Sequence, residues 1–233
     1  MAVMVDSSGG DLRKWQLPRG RHGLPRELVT RSQRERLMAA VVRVTASKGY
    51  EAMSVADILT EAGVGRQSFY ELFADKRDCL LAAHTMLVDD LEATVAPILR
   101  GSGPWPPRVR IAVETGLNWF ASNPEAARVT VIELAAVGPV ARERFLATFH
   151  RFSALLDEGL EEPEAATDLP NILGLTFASA FARIYEEIAM DRTAELPNLV
   201  PELTFELLVP FVGEDAARAA STGEETDPGN AGS

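Results

Sequence analysis

The side chains best suited to direct chemistry lie in one short segment, residues 66–76. Phe69 and Phe73 are one helical turn apart, so a helix would bury both rings on its inner face. The outward side chains would then be Arg66, Gln67, Ser68 and Tyr70. Arginine suits guanine edges and glutamine suits adenine edges in a major groove, whereas hydroxyls and the Lys76 ammonium suit phosphate oxygens. The segment therefore predicts a helix that reads DNA.

Two preceding elements must position this helix. Ser54 and Asp57 have the spacing of a capping box, which predicts that a helix begins at Ser54. Ala62-Gly63-Val64 then supplies a small residue, a glycine able to adopt positive φ and an apolar plug, which favours a tight corner. A longer helix over Thr30–Lys48, ended by Gly49, would brace the pair. The pattern is typical of a helix-turn-helix.

The order of these residues resembles the DNA-binding region of TetR-family transcriptional repressors over roughly residues 31–80. The matching positions are Ser54, Ile58, Ala62-Gly63-Val64, Ser68, Phe69-Tyr70, Phe73 and Asp75-Lys76. Two positions depart from the family pattern, since Gly65 stands where the family usually has a capping serine and Leu72 stands where it often has a histidine. The Gly65 backbone amide can still face a phosphate. The resemblance implies an N-terminal three-helix DNA-binding head, a larger helical body and an all-α fold.

Composition agrees with a globular, DNA-binding protein once the charge is divided along the chain. The 233 residues are 46% hydrophobic and carry a net charge of −11. Residues 1–77 carry 13 Lys+Arg against 9 Asp+Glu, or +4, which leaves −15 for residues 78–233. Phosphate affinity depends on nearby cations because distant charges are screened beyond about 8 Å. The negative total therefore does not exclude DNA binding.

We predict four parts: a basic flexible arm (1–29), a helix-turn-helix domain (30–77), an effector-binding and dimerisation domain (78–213) and a disordered acidic tail (214–233). Arg19 and Arg21 of the arm could enter a minor groove or follow phosphates, although a solvated leader is the plain alternative. The predicted DNA contacts are Arg19, Arg21, Arg31, Ser54, Gly65, Arg66, Gln67, Ser68, Tyr70 and Lys76.

The family resemblance implies a small-molecule pocket in the body. Its aromatic candidates are Trp119, Phe120, Phe149, Phe152 and Tyr185, with Asn118, Thr148 or His150 as polar anchors. Ordinary core packing is the competing interpretation for each of them. The surplus of aromatic and aliphatic residues favours an apolar effector.

Two late helices are apolar around most of their circumference, which favours a surface covered by a second copy. The predicted homodimer contacts are Gly174, Phe177, Ala178, Phe181, Leu203, Leu207 and Phe211. Pro210 is expected to kink or end the last helix.

Catalytic sites find little support. The three histidines lie in separate segments without metal-ligand spacing, and the single cysteine, Cys79, excludes an internal disulfide and favours a buried, inert thiol. We expect no cofactor, no metal, no enzymatic activity, no membrane span and a cytoplasmic location. The favoured function is a ligand-responsive repressor that binds a pseudo-palindromic operator as a dimer and is released by a small apolar effector. Alternatives are a helical small-molecule-binding protein or enzyme that has lost DNA binding, and a ligand-independent architectural DNA binder.

Overall fold

The computed structural model describes residues 26–158 and 172–223, and every regular element in these two ranges is helical. The helices are α1 Arg26–Lys48, α2 Val55–Ala62, α3 Arg66–Leu72, α4 Lys76–Leu99, α5 Trp105–Ser122, α6 Pro124–Ala127, α7 Leu134–Ala136, α8 Pro139–Glu158, α9 Ile172–Ala189 and α10 Val200–Thr222. A π-helical turn, Arg128–Glu133, joins α6 to α7, and a 3₁₀ helix, Thr193–Leu199, precedes α10. The predicted all-α fold is confirmed.

The described residues up to Val88, together with Ser122–Arg142, form one compact unit, which we call unit 1. Helix α1 is its central element, because α2, α3, α6 and the π-helical turn all pack against it. The core contains Leu37, Ile58 and Phe69, each fully buried. Residues 122–142 thus cluster with the head, although the sequence assigned them to the body.

The helix ends of unit 1 follow from local chemistry. Gly49 takes φ +77° after α1, and Gly63 takes φ 61° after α2, a conformation that costs glycine least. Helix α1 begins at Arg26, four residues before the predicted Thr30. Its first turn carries Glu27, whose charge suits the positive end of a helix dipole. The predicted flexible arm therefore loses residues 26–29 to this helix, and residues 1–25 lie outside the described ranges.

Residues Asp89–Ala121, together with the described residues from Glu143 onwards, form unit 2. It contains the second half of α4, then α5, most of α8, α9, the 3₁₀ helix and α10. Helix α10 packs against α9 and the 3₁₀ helix. The core of this unit includes Val109, Ile188, Leu203 and Leu208, none more than 1% exposed.

The predicted disordered tail is wrong for residues 214–222, which continue α10. Ala217 is fully buried and Ser221 is 6% exposed, so small side chains alone form the buried face of this segment. The low content of large apolar residues after Gly213 is what predicts disorder from the sequence. The helix is interrupted at Gly213 (φ 77°, ψ 171°), whereas Pro210 is accommodated within the first half of the helix. The last ten residues lie outside the described ranges.

Within the ranges that the structure covers, no helix is both long and apolar enough to cross a bilayer. The same residues bring together no cluster of three or more side chains able to hold a metal ion.

Candidate nucleic-acid interface

The helix-turn-helix begins with the capping box that the sequence predicts. The Asp57 backbone N–H donates to Ser54 Oγ at 3.2 Å, and the Ser54 backbone N–H donates to Asp57 Oδ2 at 2.9 Å. Gly63 and the buried Val64 then turn the chain towards α3. Because the Ser54 hydroxyl also donates to Asp57, its hydrogen bonds serve the cap. A phosphate contact by Ser54 stays a prediction.

Helix α3 has the predicted inner and outer faces. Phe69 is 0% and Phe73 is 2% exposed, and their ring centroids lie 5.9 Å apart. The Tyr70 ring meets Phe69 edge-on at 5.3 Å yet remains 52% exposed. Arg66 and Gln67 are exposed and Ser68 is half-buried. The structure therefore brings four of the predicted DNA contacts together on one surface.

The helix begins at Gly65, where no side chain caps the backbone. A Cβ added at Gly65 would meet nothing within 4 Å, so the glycine leaves open space in front of the first turn. Arg31, another predicted contact, is exposed near the start of α1 and pairs with Glu35 at 3.0 Å. Arg19 and Arg21 lie outside the described residues.

The Lys76 ammonium, predicted to contact a phosphate, is hydrogen-bonded to backbone carbonyls in this structure. It donates to the carbonyls of Tyr50, Glu51 and Met53 at 3.0, 3.4 and 2.8 Å and lies 4.5 Å from the Tyr50 ring centroid. An ammonium has three N–H donors, and all three are directed at the turn between α1 and α2. The contacts give Lys76 a role in fixing that turn. Binding of phosphate by this side chain stays a prediction.

Sequence reasoning missed three side chains that hold or shape this surface. Arg34 donates to the Leu72 carbonyl at 3.4 Å and lies 4.6 Å from the Phe73 ring centroid, which braces α3 against α1. Its spacing of three from the inward Leu37 could have indicated this. The other two are Glu133, which contacts the turn after α1, and Glu71, which accepts a hydrogen bond from Gln67.

Two titratable groups of unit 1, Asp57 and Cys79, have strongly shifted pKa values. Lys48 donates to Asp57 Oδ1 at 2.6 Å, and this hydrogen bond, followed by those from Ser54, holds the Asp57 pKa well below its usual range. Burial raises the pKa of the Cys79 thiol to about 12. The sulfur is fully buried, 3.7 Å from the Leu37 carbonyl oxygen, which agrees with the predicted inert thiol.

In unit 2, four half-buried rings of α8 and α9 pack together, and we call them the phenylalanine cluster: Phe145, Phe149, Phe177 and Phe181. Phe149 lies 4.9 Å from Phe177 and 6.1 Å from Phe181 between ring centroids. Phe145 meets Phe181 edge-on at 5.5 Å. The cluster therefore combines a predicted pocket residue with two predicted dimer contacts.

The other predicted pocket residues have varied settings. Trp119 Nε1 donates to Asp90 at 2.8 Å, and its ring meets Phe120 edge-on at 5.5 Å. Phe152 is half-buried, whereas Tyr185 is 45% exposed. Among the polar anchors, Asn118 and His150 are exposed and Thr148 is half-buried.

The structure corrects the predicted dimer contacts. Leu203 and Leu207 are 1% and 3% exposed, so they belong to the core of unit 2 and present no surface to a second copy. Phe211 meets the Trp105 ring at 5.5 Å within the same unit. The sequence could not reveal this, because α10 is apolar enough for either use. Gly174 is half-buried, like the α9 members of the phenylalanine cluster, and Ala178 is exposed.

A further stripe on α9 is exposed and apolar: Leu175, Ala178, Ala182, Tyr185 and Ala189. Successive members lie three, four, three and four residues apart, so they share one helix face. Leu175 is 62% exposed, which is unusual for a leucine in an ordered helix. We call this set the α9 stripe.

Comparisons with known proteins agree with this geometry. The family model described as bacterial regulatory proteins, tetR family, matches residues 37–83. The HTH-type transcriptional regulator YezE of Bacillus subtilis is 30% identical over 118 residues, which are 50% of this chain and 60% of YezE, so the match spans less than two thirds of that relative. The HTH-type transcriptional activator FasR of Mycolicibacterium smegmatis is 26% identical over 201 residues, covering 83% of this chain and 86% of FasR.

The structure of FadR from Bacillus subtilis in complex with stearoyl-CoA superposes with a TM-score of 0.63 at 19% identity, covering 76% of this chain and 97% of FadR.

Proposed function

Because this chain belongs to the TetR family of bacterial transcriptional regulators, we propose that it binds a pseudo-palindromic operator as a homodimer and is released by an apolar effector. As a member of that family it is a DNA-binding transcriptional regulator. The observation that carries the proposal is the outer face of α3, where Arg66, Gln67 and Tyr70 are exposed while Phe69 anchors the helix from behind.

Base reading is assigned to Gln67 and Arg66, and phosphate contacts to the hydroxyls of Ser68 and Tyr70. We also propose phosphate contacts for the backbone amide of Gly65, the N-cap of α3, and for Arg31 in the second turn of α1. Two copies of α3 in a dimer would enter successive major grooves, with half-sites about 34 Å apart. The DNA-binding domain is proposed to comprise residues 30–77, extended in this structure by the first turn of α1.

The direct test is Gln67→Ala, measured by fluorescence anisotropy on the best duplex selected from a random pool and on unselected DNA. We expect a cost of about 1 to 3 kcal/mol on the selected duplex and little change on unselected DNA. Asn198→Ala, which removes an exposed amide from unit 2, is the matched control. Equal losses on both duplexes would contradict base reading by Gln67.

Dimerisation is proposed through the α9 stripe and neighbouring predicted contacts on α9. An exposed apolar row of this kind is costly in water and is stabilised when a second copy covers it. Ala178→Arg should convert a dimer into a monomer in sedimentation velocity at micromolar concentration. Leu28→Arg, a change at an exposed site in unit 1, should leave the dimer intact. A wild-type monomer would contradict the proposal.

The effector is proposed to carry a long apolar chain. The phenylalanine cluster and Phe152 of α8, all half-buried, supply apolar side chains in unit 2. FadR, which shares the fold, is known in complex with stearoyl-CoA. An effector releases DNA only if it binds the DNA-incompetent state more tightly than the other state. Stearoyl-CoA, stearate and free CoA should therefore be compared in the anisotropy assay. Release by free CoA alone would contradict an apolar effector.

Repression is proposed over activation, although the relative FasR is an activator. Expression of a reporter gene placed behind the bound promoter should increase when the gene for this regulator is deleted. The second candidate, a helical binding protein that has lost DNA binding, is favoured by the departures at Gly65 and Leu72. It predicts stearoyl-CoA binding without any salt-dependent binding to DNA.

A further inference from the structure

Gln67 and Glu71 form a hydrogen-bonded pair at the centre of the outward face of α3. Gln67 Nε2 donates to Glu71 Oε1 at 3.0 Å, and both side chains are exposed. At 3.6 residues per turn, Glu71 points about 180° from the mean direction of Phe69 and Phe73. No other residue of this helix points so directly away from the core. A groove that receives α3 must therefore receive this pair.

We propose that Glu71 is a positioning residue for Gln67, and that the pair selects a base pair presenting adenine. This inference rests on the proposed DNA-binding function. A primary amide has two N–H donors and one carbonyl acceptor. Glu71 accepts a hydrogen bond from one of these N–H donors, so the amide nitrogen of Gln67 is held on the side that faces Glu71. This contact determines the orientation of the Gln67 amide.

The remaining N–H and the carbonyl oxygen of Gln67 then form a parallel donor and acceptor. This is the pattern that pairs with N7 and the N6 amino group of adenine in the major groove. The second oxygen of Glu71 accepts only, so it favours an amino group of adenine or cytosine nearby and disfavours the O6 and N7 acceptors of guanine. The pair is thus arranged to discriminate between bases.

The negative charge of the Glu71 carboxylate also repels the phosphates of DNA. Helix α3 carries only two formal charges, Arg66 and Glu71, so the carboxylate cancels the arginine. Removing it should strengthen binding to every sequence, because less repulsion remains. The same change should weaken discrimination at one base pair, because Gln67 loses its support. Such opposite effects distinguish positioning from a surface pair that merely stabilises the helix.

The test measures anisotropy on the selected duplex and on duplexes that replace each A·T pair in turn. Glu71→Ala should strengthen binding to unselected DNA by about threefold and reduce discrimination at one A·T position per half-site by about tenfold. Glu71→Gln keeps the acceptor and should strengthen binding while retaining most of the discrimination. Glu51→Ala, which removes another exposed carboxylate from unit 1, should leave discrimination unchanged.

A double-mutant cycle gives the decisive result. In a Gln67→Ala background, Glu71→Ala should change discrimination by less than about twofold, because the side chain that it positions is gone. Independent effects of the two substitutions, or full discrimination by Glu71→Ala alone, would overturn the inference while leaving the proposed function intact. A wild-type protein that binds all duplexes equally would overturn both. Alanine is a strong helix former, and thermal unfolding followed by circular dichroism verifies that each variant is folded.

Discussion

The carboxylate of Glu133 accepts a hydrogen bond from the Tyr50 backbone N–H at 3.1 Å, across 83 residues of sequence. Glu133 ends the π-helical turn, and Arg128 of the same turn lies 3.6 Å from its other oxygen. Both partners belong to unit 1. The contact therefore ties the segment around the π-helical turn to the corner that precedes the helix-turn-helix.

Glu133→Ala should destabilise unit 1 by about 1.5 kcal/mol, because the Tyr50 N–H loses a charged acceptor. Glu133→Gln keeps an acceptor oxygen and should cost less. Urea unfolding measures both losses of stability as shifts in the transition midpoint, provided that the m-value is the same in all variants. Glu125→Ala removes an exposed carboxylate from the neighbouring α6 and provides the control. A midpoint for the alanine variant equal to that of the wild-type protein would show that the hydrogen bond contributes nothing to stability.

The sequence predicts the head well because its signals are local. Ser54 caps the helix that carries Asp57, and Gly63 ends it, so a few neighbouring residues determine each helix end. The inward phenylalanines follow directly from helical period. These features require no knowledge of distant parts of the chain, which is why α2 and α3 appear where they are expected.

Long-range partners could not be predicted in the same way. Nothing near Lys76 in the sequence indicates that its ammonium reaches the Tyr50 and Met53 carbonyls, more than twenty residues earlier. The burial of an apolar helix is ambiguous for a related reason. From the sequence, Leu203 could lie in an interface or in the core, and only the elements that pack against α10 show that it lies in the core. Ala217 shows the converse, since a small residue in an acidic segment is fully buried.

Lys76→Met should lower the free energy of unfolding by about 2 kcal/mol, because three backbone carbonyls lose a charged donor. Methionine retains the apolar stem near Tyr50, so the loss reports the ammonium. If Lys76 acts only on the turn, the slope of log affinity for DNA against log salt stays unchanged in the folded variant. A fall in that slope by about one would instead establish the phosphate contact that the sequence predicts.

The capping box should make unit 1 sensitive to acid. Lys48 and Ser54 stabilise ionised Asp57 in the folded state, which lowers its pKa there. A carboxyl with a lower folded pKa adds stability above its unfolded pKa, about 3.9, and loses it as pH falls towards the folded value. Asp57→Asn should therefore lower the melting temperature at pH 7 and have progressively less effect below about pH 4. An effect independent of pH would contradict the assignment.

Cys79 should be unreactive in the folded protein. Its thiol has no exposed surface, and a pKa of about 12 leaves about one thiolate in ten thousand at pH 8. Ellman's reagent should therefore label the native protein only as fast as the core opens, and should label it fully in 6 M urea. Cys79→Ser should be less stable than Cys79→Ala, because the hydroxyl is a stronger polar group than the thiol in an apolar core. Rapid, complete labelling in native buffer would mean that the thiol is accessible and available for redox chemistry.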